Sequence, residues 1–172
     1  YFSSAKIPTR IISTSTQTTT TPCSTEAELD TAISNQQSII ITNSFTLTTP
    51  KTINYPVLIR TDGIWHTLTG DFNGALFTIS SDNSIVMNIE LVNTNTGSNC
   101  NCINFSSTTA NNNSVFTAYF QTNESAIWSA NAQIAIEVCS FTFLGSADSH
   151  SYIILSRTTG TTQILNNTFR GN

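Results

Sequence analysis

Hydrophobic residues occur in short runs along this chain, and the runs themselves repeat at an interval of about 24 residues. Four similar anchors begin at Ile79, Ile103, Ile127 and Ile154, which lie 24, 24 and 27 residues apart. A polar stretch, a second apolar run and a turn rich in Gly or Asn follow each anchor. Repeats of about 20–50 residues are typical of solenoids, whose units cannot bury a core alone and therefore stack.

Within the runs the period is two, which is typical of β-strands. Ile39 and Ile41 share one face of their run, and Phe45 and Leu47 share one face of the next. Turn signals separate the runs at intervals of roughly 8–12 residues, as in all-β folds. The hydrophobic pattern therefore predicts an all-β chain of short, stacked strands.

Simple alternation also assigns faces within the later runs. Over 85–91 it predicts one face with Ile85, Met87, Ile89 and Leu91 and the other with Val86, Asn88 and Glu90. Over 134–139 it predicts Ile134, Ile136 and Val138 inward, with Ala135, Glu137 and Cys139 outward. Both faces of 115–120 are apolar, so alternation does not distinguish inward from outward there.

One segment has the pattern of a helix. Thr25 followed by Glu28 matches a capping box, in which Thr25 is the N-cap and Glu28 reaches back to it. Apolar residues then recur at helical spacing, which predicts a helix over 26–35. Glu26, Glu28 and Asp30 lie near its positive end, so capping and the helix dipole account for these acids without a role in a reaction.

The chain divides into an arm and one domain. Residues 1–22 are rich in Thr and Ser and too low in complexity to pack a core, which predicts an arm or linker. Residues 23–172 contain the helix and all the repeats and form the predicted domain. Because the chain begins at Tyr1 and ends within a repeat-like motif, we expect it to be part of a longer protein.

Composition narrows the classes of partner. Charged residues are 9% of the chain, against about 25% in an average protein. The net charge is −4 and there is no basic stripe, so we expect no nucleic-acid partner. No apolar run approaches the roughly 20 residues that span a bilayer, so we expect no membrane insertion. The basic residues appear scattered over an ordinary surface: Lys6, Arg10, Lys51, Arg60, Arg157 and Arg170.

Four cysteines allow three different disulfide pairings, and their spacing does not choose among them. They are Cys23, Cys100, Cys102 and Cys139. One alternative is a disulfide from Cys23 or Cys139 to the Cys100–Cys102 pair, and the other is that all four are buried or free thiols. The single residue between Cys100 and Cys102 does not match a CxxC zinc or redox motif.

Four Asn-x-Ser/Thr sequons are candidate glycosylation sites, and they are compatible with an exterior setting. The acceptor residues are Asn104, Asn112, Asn123 and Asn166. In a chain so rich in Asn, Ser and Thr, chance alone also produces several such triplets. The sequons therefore allow an extracellular protein without requiring one.

The order of elements resembles the right-handed parallel β-helix of the pectate-lyase-like superfamily. The helix at 26–35 precedes the strand-like runs 38–41, 45–47 and 56–59, and the last unit, 164–172, has the form Ile-x-Asn-Asn-x-Phe-x-Gly-Asn. The resemblance covers roughly residues 24–172. It implies a solenoid whose open N-terminal end is capped by the helix, and it extends to phage and virion surface domains and to adhesins.

Members of this superfamily include polysaccharide lyases, glycoside hydrolases, phage tailspikes, autotransporter passengers and virion surface proteins. The resemblance and the scarcity of titratable groups lead to one main hypothesis. The chain is a non-enzymatic structural or attachment protein, of the virion surface, minor capsid or secreted adhesin type, with no cofactor. Its lateral face would contact glycans or neighbouring subunits, oligomers included, in an extracellular, cell-surface or virion location. The alternatives are a polysaccharide lyase or glycosidase and an autotransporter passenger domain.

An enzyme of this class would need charged residues that meet in one groove. Glycosidases use two carboxylates on one face, and Glu90 and Glu137 lie on outward faces of strands in different units, where they could stack. The superfamily's lyases combine clustered Asp residues with a basic residue, which makes Asp148 and Arg157 a second candidate pair. Ordinary solvated side chains are the alternative for all four.

Two aromatic residues are candidate platforms for sugar rings. Trp65 and Trp128 could each present an indole face to carbohydrate, and packing into the coil is the alternative for both. His66 and His150 are interpreted as loop residues. With so few histidines and no recurring ligand spacing, the sequence predicts no metal site.

Overall fold

The computed structural model describes residues 19–97, 99–107, 112–130, 134–144, 153–155 and 162–170. The elements in chain order are β1 (Thr20–Cys23), α1 (Glu26–Ser34), β2 (Ser38–Ile41), β3 (Phe45–Leu47), β4 (Lys51–Ile53), β5 (Leu58–Thr61), β6 (Thr67–Gly70), β7 (Phe77–Ile79), β8 (Ile85–Met87), β9 (Glu90–Asn93), β10 (Ile103–Phe105), β11 (Asn113–Phe116), β12 (Tyr119–Thr122), β13 (Ile127–Ser129), β14 (Ile134–Glu137), β15 (Ser140–Phe143), β16 (Ile153–Leu155), β17 (Gln163–Leu165) and β18 (Thr168–Arg170).

The strands form three parallel sheets that wind around one another as a solenoid. Sheet I has the order β1-β2-β5-β8-β11-β14-β17, sheet II β18-β15-β12-β9-β6-β3 and sheet III β16-β13-β10-β7-β4. Three consecutive strands such as β8, β9 and β10 enter the three sheets in turn, and the next strand returns to sheet I. The prediction of an all-β solenoid is confirmed, with one short helix among the described residues.

The predicted repeat corresponds to the stacking of strands in sheet III, with a small error of register at each end. The observed ladder is Phe77, Ile103, Ile127 and Ile153. Ile79 therefore lies two residues beyond its predicted position and Ile154 one residue beyond. The loops between strands differ in length, so a constant interval in the sequence cannot place every strand. A shift of two residues keeps a side chain on the same face, whereas a shift of one reverses it.

The core lies inside the coil and consists of apolar ladders. In sheet I, one ladder joins Ile39, Ile59, Val86, Val115 and Ile136. In sheet II, Phe120 and Phe141 are fully buried and their rings stack with centroids 5.0 Å apart. Ile39 and Ile41 are both fully buried, which confirms that they share the inner face. These ladders are the main source of stability. Each inward apolar side chain is removed from water because the equivalent side chains of the preceding and following turns cover it.

Four turns from sheet I into sheet II share one backbone conformation. Asn88, Thr117, Val138 and Asn166 have φ angles of 53°, 46°, 56° and 55°. They lie in register, since the amide nitrogens of Asn88, Thr117 and Val138 donate to the carbonyl oxygens of Phe116, Glu137 and Leu165 on the next turn. We call these four residues the corner ladder. A positive φ bends the strand sharply, which lets the coil turn its corner in a few residues.

The corner ladder explains two predictions of side-chain facing that are wrong. Val86 is fully buried and Met87 is not, so Val86 rather than Met87 shares the inner face with Ile89 and Leu91, contrary to the grouping predicted for 85–91. Val138 is 57% exposed and Cys139 is buried, the reverse of the assignment made for 134–139. The left-handed residue interrupts the alternation between the two strands, so a period of two cannot be carried through it. In the unassigned run 115–120, Val115, Ala118 and Phe120 face inward.

The helix begins as predicted and ends one residue earlier. The hydroxyl oxygen of Thr25 accepts a hydrogen bond from the amide nitrogen of Glu28, at 3.3 Å, which confirms Thr25 as the N-cap. The carboxylate of Glu28 accepts bonds from the amide nitrogen and the hydroxyl of Ser24, one residue before the expected partner. Leu29 and Ala32 are buried against the first strands of the coil, β1, β2 and β3.

Lys51 is not an ordinary surface residue, and the prediction for it is wrong. It is only 4% exposed, and its Nζ atom lies 2.6 Å from Glu26 and 2.7 Å from Asp30. In the ladder of sheet III it occupies the position below Phe77, where later turns place apolar residues. An ammonium group at a core position requires nearby carboxylates, and α1 supplies both. Glu26 and Asp30 therefore do more than favour the helix dipole.

The four cysteines, all within the described residues, form no disulfide and are buried. Burial raises the pKa of Cys23 and of Cys139 to about 11 and raises that of Cys102 further. Thiols with such values stay protonated at neutral pH and react slowly. Of the predicted arm, residues 20–22 belong to β1 and pair with β2, and residues 1–18 lie outside the described ranges.

Candidate functional site

The turn between β5 and β6 projects an aromatic side chain from the coil. Asp62 Oδ1 accepts hydrogen bonds from the amide nitrogen of Ile64, at 3.2 Å, and from Nε2 of His66, at 3.1 Å. Gly63 has a φ of 108°, a value that residues with a Cβ atom rarely adopt. The hydrogen bond from the amide nitrogen of Ile64, together with the hydrogen bond from His66, lowers the pKa of Asp62. This closed turn leaves Trp65 56% exposed.

Trp65 lies at one side of a groove on the corner between sheets I and II. The groove has a volume of about 390 Å³. Its described lining residues are Trp65, Glu90, Thr117, Ala118, Tyr119, Val138 and Ser140. We call it the corner groove. Three of these residues come from one stack in sheet II, because Tyr119 pairs with Glu90 on one side and with Ser140 on the other.

Glu90 is the single carboxylic acid among the described lining residues of the corner groove, and two hydrogen bonds hold its carboxylate. One oxygen accepts a short hydrogen bond from the hydroxyl of Thr67, and the other accepts a bond from Nε2 of Gln121 at 2.7 Å. A carboxylate has about four acceptor positions, so these two bonds leave capacity for a ligand. Thr117, Tyr119 and Ser140 add hydroxyl-bearing side chains to the lining, and the Tyr119 hydroxyl shares a hydrogen bond with Thr142 Oγ1 at 3.1 Å.

The corner groove also contains the two strained members of the corner ladder. Thr117 and Val138 are β-branched, and a left-handed backbone at such residues costs roughly 1–2 kcal/mol. At the other two positions the chain has Asn88 and Asn166, and Asn tolerates this conformation better. Strain of this kind is concentrated at functional sites. Both strained residues, Thr117 and Val138, line the corner groove together with the exposed Trp65.

Trp128 lies in a second groove, of about 380 Å³, on the outer face of sheet III. Its described lining residues are Pro50, Gly74, Ala75, Thr78, Asn99, Asn101, Asn104 and Trp128. None of these is ionisable. Trp128 is half-buried and pairs with Asn104, whose Oδ1 atom is buried without a hydrogen-bond partner. Both tryptophans named from the sequence thus line grooves, and neither is packed wholly into the coil.

The two candidate catalytic glutamates lie in different sheets. Glu90 lies on β9 in sheet II, whereas Glu137 lies on β14 in sheet I beside Phe116 and Leu165. The register therefore puts the two carboxylates in separate ladders on either side of the corner. Asp148, Arg157 and His150 lie outside the described residues. Within the described ranges, no cluster of three or more His, Cys, Asp or Glu side chains could hold a metal ion.

The candidate glycosylation residues differ in accessibility. Asn112 and Asn166 are exposed and have left-handed backbones. Asn123 uses its amide nitrogen to donate to the carbonyl oxygens of Thr94 and Asn95, at 2.8 and 3.3 Å. Asn104 lines the second groove. Asn112 and Asn166 are the more accessible acceptors, although Asn112 also donates from Nδ2 to Asn83 Oδ1 at 3.4 Å.

Sequence reasoning missed Thr117, Tyr119 and Val138 as parts of a groove. Alternation predicts Val138 in the core because it follows the inward residues at a spacing of two. The local signal was weak: Asn88 and Asn166 stand between two apolar runs as turn residues often do, but a valine at the equivalent position gives no such hint.

Comparisons of the chain with models of protein families, with curated proteins and with solved structures give no match. The class that the fold defines is therefore a parallel β-solenoid. The described residues include no helix long and apolar enough to cross a membrane.

Proposed function

We propose that this chain is the β-helix domain of a non-enzymatic exterior attachment or structural protein that binds glycans in the corner groove. The observation that carries the proposal is the exposure of Trp65 beside a set of hydroxyl groups and one fixed carboxylate. Sugar rings have an apolar face that packs on an indole and hydroxyls that bond to polar side chains. The corner groove offers both kinds of contact on the side of a stiff rod.

The proposal includes the finer architecture of the pectate-lyase-like superfamily. Parallel crossovers are almost always right-handed, which supports a right-handed coil. The packing of α1 on β1, β2 and β3, with its carboxylates on the buried Lys51, supports a role for the helix as the cap of the N-terminal end. A capped end protects the coil from pairing edge to edge with other chains.

The setting that fits this proposal is a virion surface, a minor capsid position or a secreted adhesin. Its support is the low content of ionisable residues and a polar coat of Ser, Thr and Asn, together with two exposed sequons at Asn112 and Asn166. The separation of Glu90 from Glu137 favours binding over hydrolysis, since a glycosidase needs two carboxylates that face one bond.

The test is incubation of the purified chain with a panel of neutral and acidic polysaccharides, with bound material and newly released chain ends measured together. We expect binding without release, and we expect Trp65→Ala to reduce it at least tenfold. Ile64→Ala is the matched control, because Ile64 is 67% exposed on the same turn but does not line the groove. Release of new ends that Glu90→Gln abolishes would make the protein an enzyme. Equal loss in both alanine variants would place binding elsewhere on the turn.

A further inference from the structure

We propose that the corner groove selects a neutral sugar ring, with Trp65 and Val138 as its apolar contacts and the Glu90 carboxylate as an acceptor for the ring hydroxyls. This inference rests on the proposed glycan-binding function and names its ligand class. It also assigns a role to Val138, whose side chain combines three properties that folding alone does not favour.

The first property is backbone strain. Val138 has a φ of 56°, in the left-handed region that β-branched residues avoid. Asn88 and Asn166 occupy the same backbone position in other turns of the coil. An asparagine at 138 would therefore fit the corner with less strain, so the valine side chain costs stability where it stands.

The second and third properties are exposure and location. Val138 is 57% exposed, so its methyl groups add little to the core. They line the corner groove together with Trp65, which is also more than half exposed. Two accessible apolar side chains in one groove gain free energy when a ligand covers them. The strained backbone at Val138 does not help the chain fold. A contact between its methyl groups and a ligand would account for a valine at this position.

The charge of the groove determines which sugars it accepts. Glu90 is fixed by Thr67 and Gln121, and the chain as a whole carries a net charge of −4. A uronate or sulfated sugar would bring a second negative charge close to Glu90, which is unfavourable in a partly desolvated groove. A neutral sugar instead donates hydroxyl hydrogen bonds to the carboxylate, and bonds to a charged acceptor are among the stronger ones.

The test compares four variants of the full chain, Val138→Asn, Val138→Gly, Asn88→Gly and Glu90→Gln, by melting temperature and by affinity for soluble β-glucan, mannan and polygalacturonate. Val138→Asn is expected to raise the melting temperature by about 2–4 °C. It should also weaken binding of the neutral polysaccharides by roughly fivefold or more. Asn88→Gly is the matched control: it lies on the same corner ladder but does not line the groove, so its affinity should be unchanged. Glu90→Gln should reduce the preference for neutral over acidic polysaccharide.

The outcomes separate this inference from the function on which it rests. If Val138→Asn is stabilised but binds as tightly as the native chain, or if the native chain prefers polygalacturonate, the inference is wrong although glycan binding remains. If Val138→Asn and Val138→Gly both melt at lower temperature than the native chain, the strain argument is wrong. If the native chain binds neither class of polysaccharide, the proposed function fails and the inference fails with it.

Discussion

At the scale of single residues, the corner ladder shows how one backbone angle decides where several side chains point. Between β8 and β9 the left-handed residue is Asn88, and the side chains on both sides of it would face differently if the strand simply continued. The polarity of such a residue matters less than its ability to adopt a positive φ. Asn adopts this angle readily, whereas Val138 adopts it at a cost in backbone strain.

Replacement of Asn88 by valine should destabilise the protein by about 1–2 kcal/mol, because a β-branched residue avoids the left-handed region. Denaturant unfolding at neutral pH measures the change. Asn88→Gly is the control, since glycine adopts this conformation freely and should have little effect. If the valine and glycine variants unfold at the same denaturant concentration, the corner is not strained by β-branching.

The hydrogen bonds and ion pair of Glu26 give a second residue-scale prediction. Burial alone would raise its pKa, but the bonds from Lys51 and from Thr48 outweigh that effect and lower the pKa from 4.5 to about 2. A carboxyl group whose pKa is lower in the folded state stabilises the fold above its unfolded value and loses that contribution as the pH falls. The native chain should therefore lose stability between about pH 4.5 and pH 2.

The measurement is the melting temperature as a function of pH for the native chain and for Glu26→Gln. The variant should melt at lower temperature near pH 7 and show a shallower fall below pH 4.5, because it has no carboxylate to protonate at this position. Glu28→Gln is an informative comparison, since Glu28 bonds to Ser24 and does not contact Lys51. Identical pH profiles for the native chain and Glu26→Gln would contradict the assignment.

At the scale of elements, the helix and the first turn of sheet III depend on each other. Lys51 takes a core position on β4 because Glu26 and Asp30 of α1 neutralise it, and α1 in turn is held to the coil by that contact. In later turns the same ladder position is apolar, since another turn covers it there. At this end of the coil, a charged residue paired with carboxylates of α1 therefore takes the ladder position that apolar residues occupy in later turns.

The phenylalanine stack of sheet II gives an element-scale prediction. Phe141 is fully buried between Phe120 and Phe169, with ring centroids 5.0 and 5.1 Å away. Phe141→Ala should destabilise the chain by about 3–5 kcal/mol, since it removes apolar contacts and leaves a cavity. Phe169→Ala should cost less, about 1–2 kcal/mol, because Phe169 is 46% exposed. Chemical denaturation of both variants measures the difference, and equal losses would contradict the stacked core.

At the scale of the whole molecule, the described coil is a one-dimensional stack in which each turn contacts its neighbours. Inner turns have covered cores on both sides, whereas the last described turn has Ile164 and Phe169 more than 40% exposed. In such a stack, local stability follows the number of neighbouring turns. The N-terminal end of the described coil also carries the helix, because α1 packs on β1, β2 and β3.

Hydrogen exchange should therefore show a gradient along the coil. Amides of β9 and β12 should be the most protected, and those of β17 and β18 should exchange earliest among the strands. Exchange followed by mass spectrometry on the native chain at neutral pH resolves these segments. Uniform protection across all the strands would indicate that the coil opens only as a whole, contrary to the stacked arrangement.

The sequence alone was sufficient for the class of fold and for the helix. The period of two, the regular turn signals and the repeat predicted stacked β-strands, because a buried inner face requires alternating apolar residues. Thr25 and Glu28 identified the start of α1 from local hydrogen-bonding chemistry. Trp65 and Trp128 are also recognisable as candidates, since their large amphipathic side chains are unusual in so polar a coat.

Only the tertiary structure decided which residues meet. It placed Glu90 and Glu137 in different sheets, brought Val138 beside Trp65 and Tyr119, and buried Lys51. The physical reason is that these outcomes depend on loop lengths and on a positive φ at a few corner residues. Neither leaves a periodic trace in the chain, and the paired strands of successive turns join residues 18 to 29 positions apart.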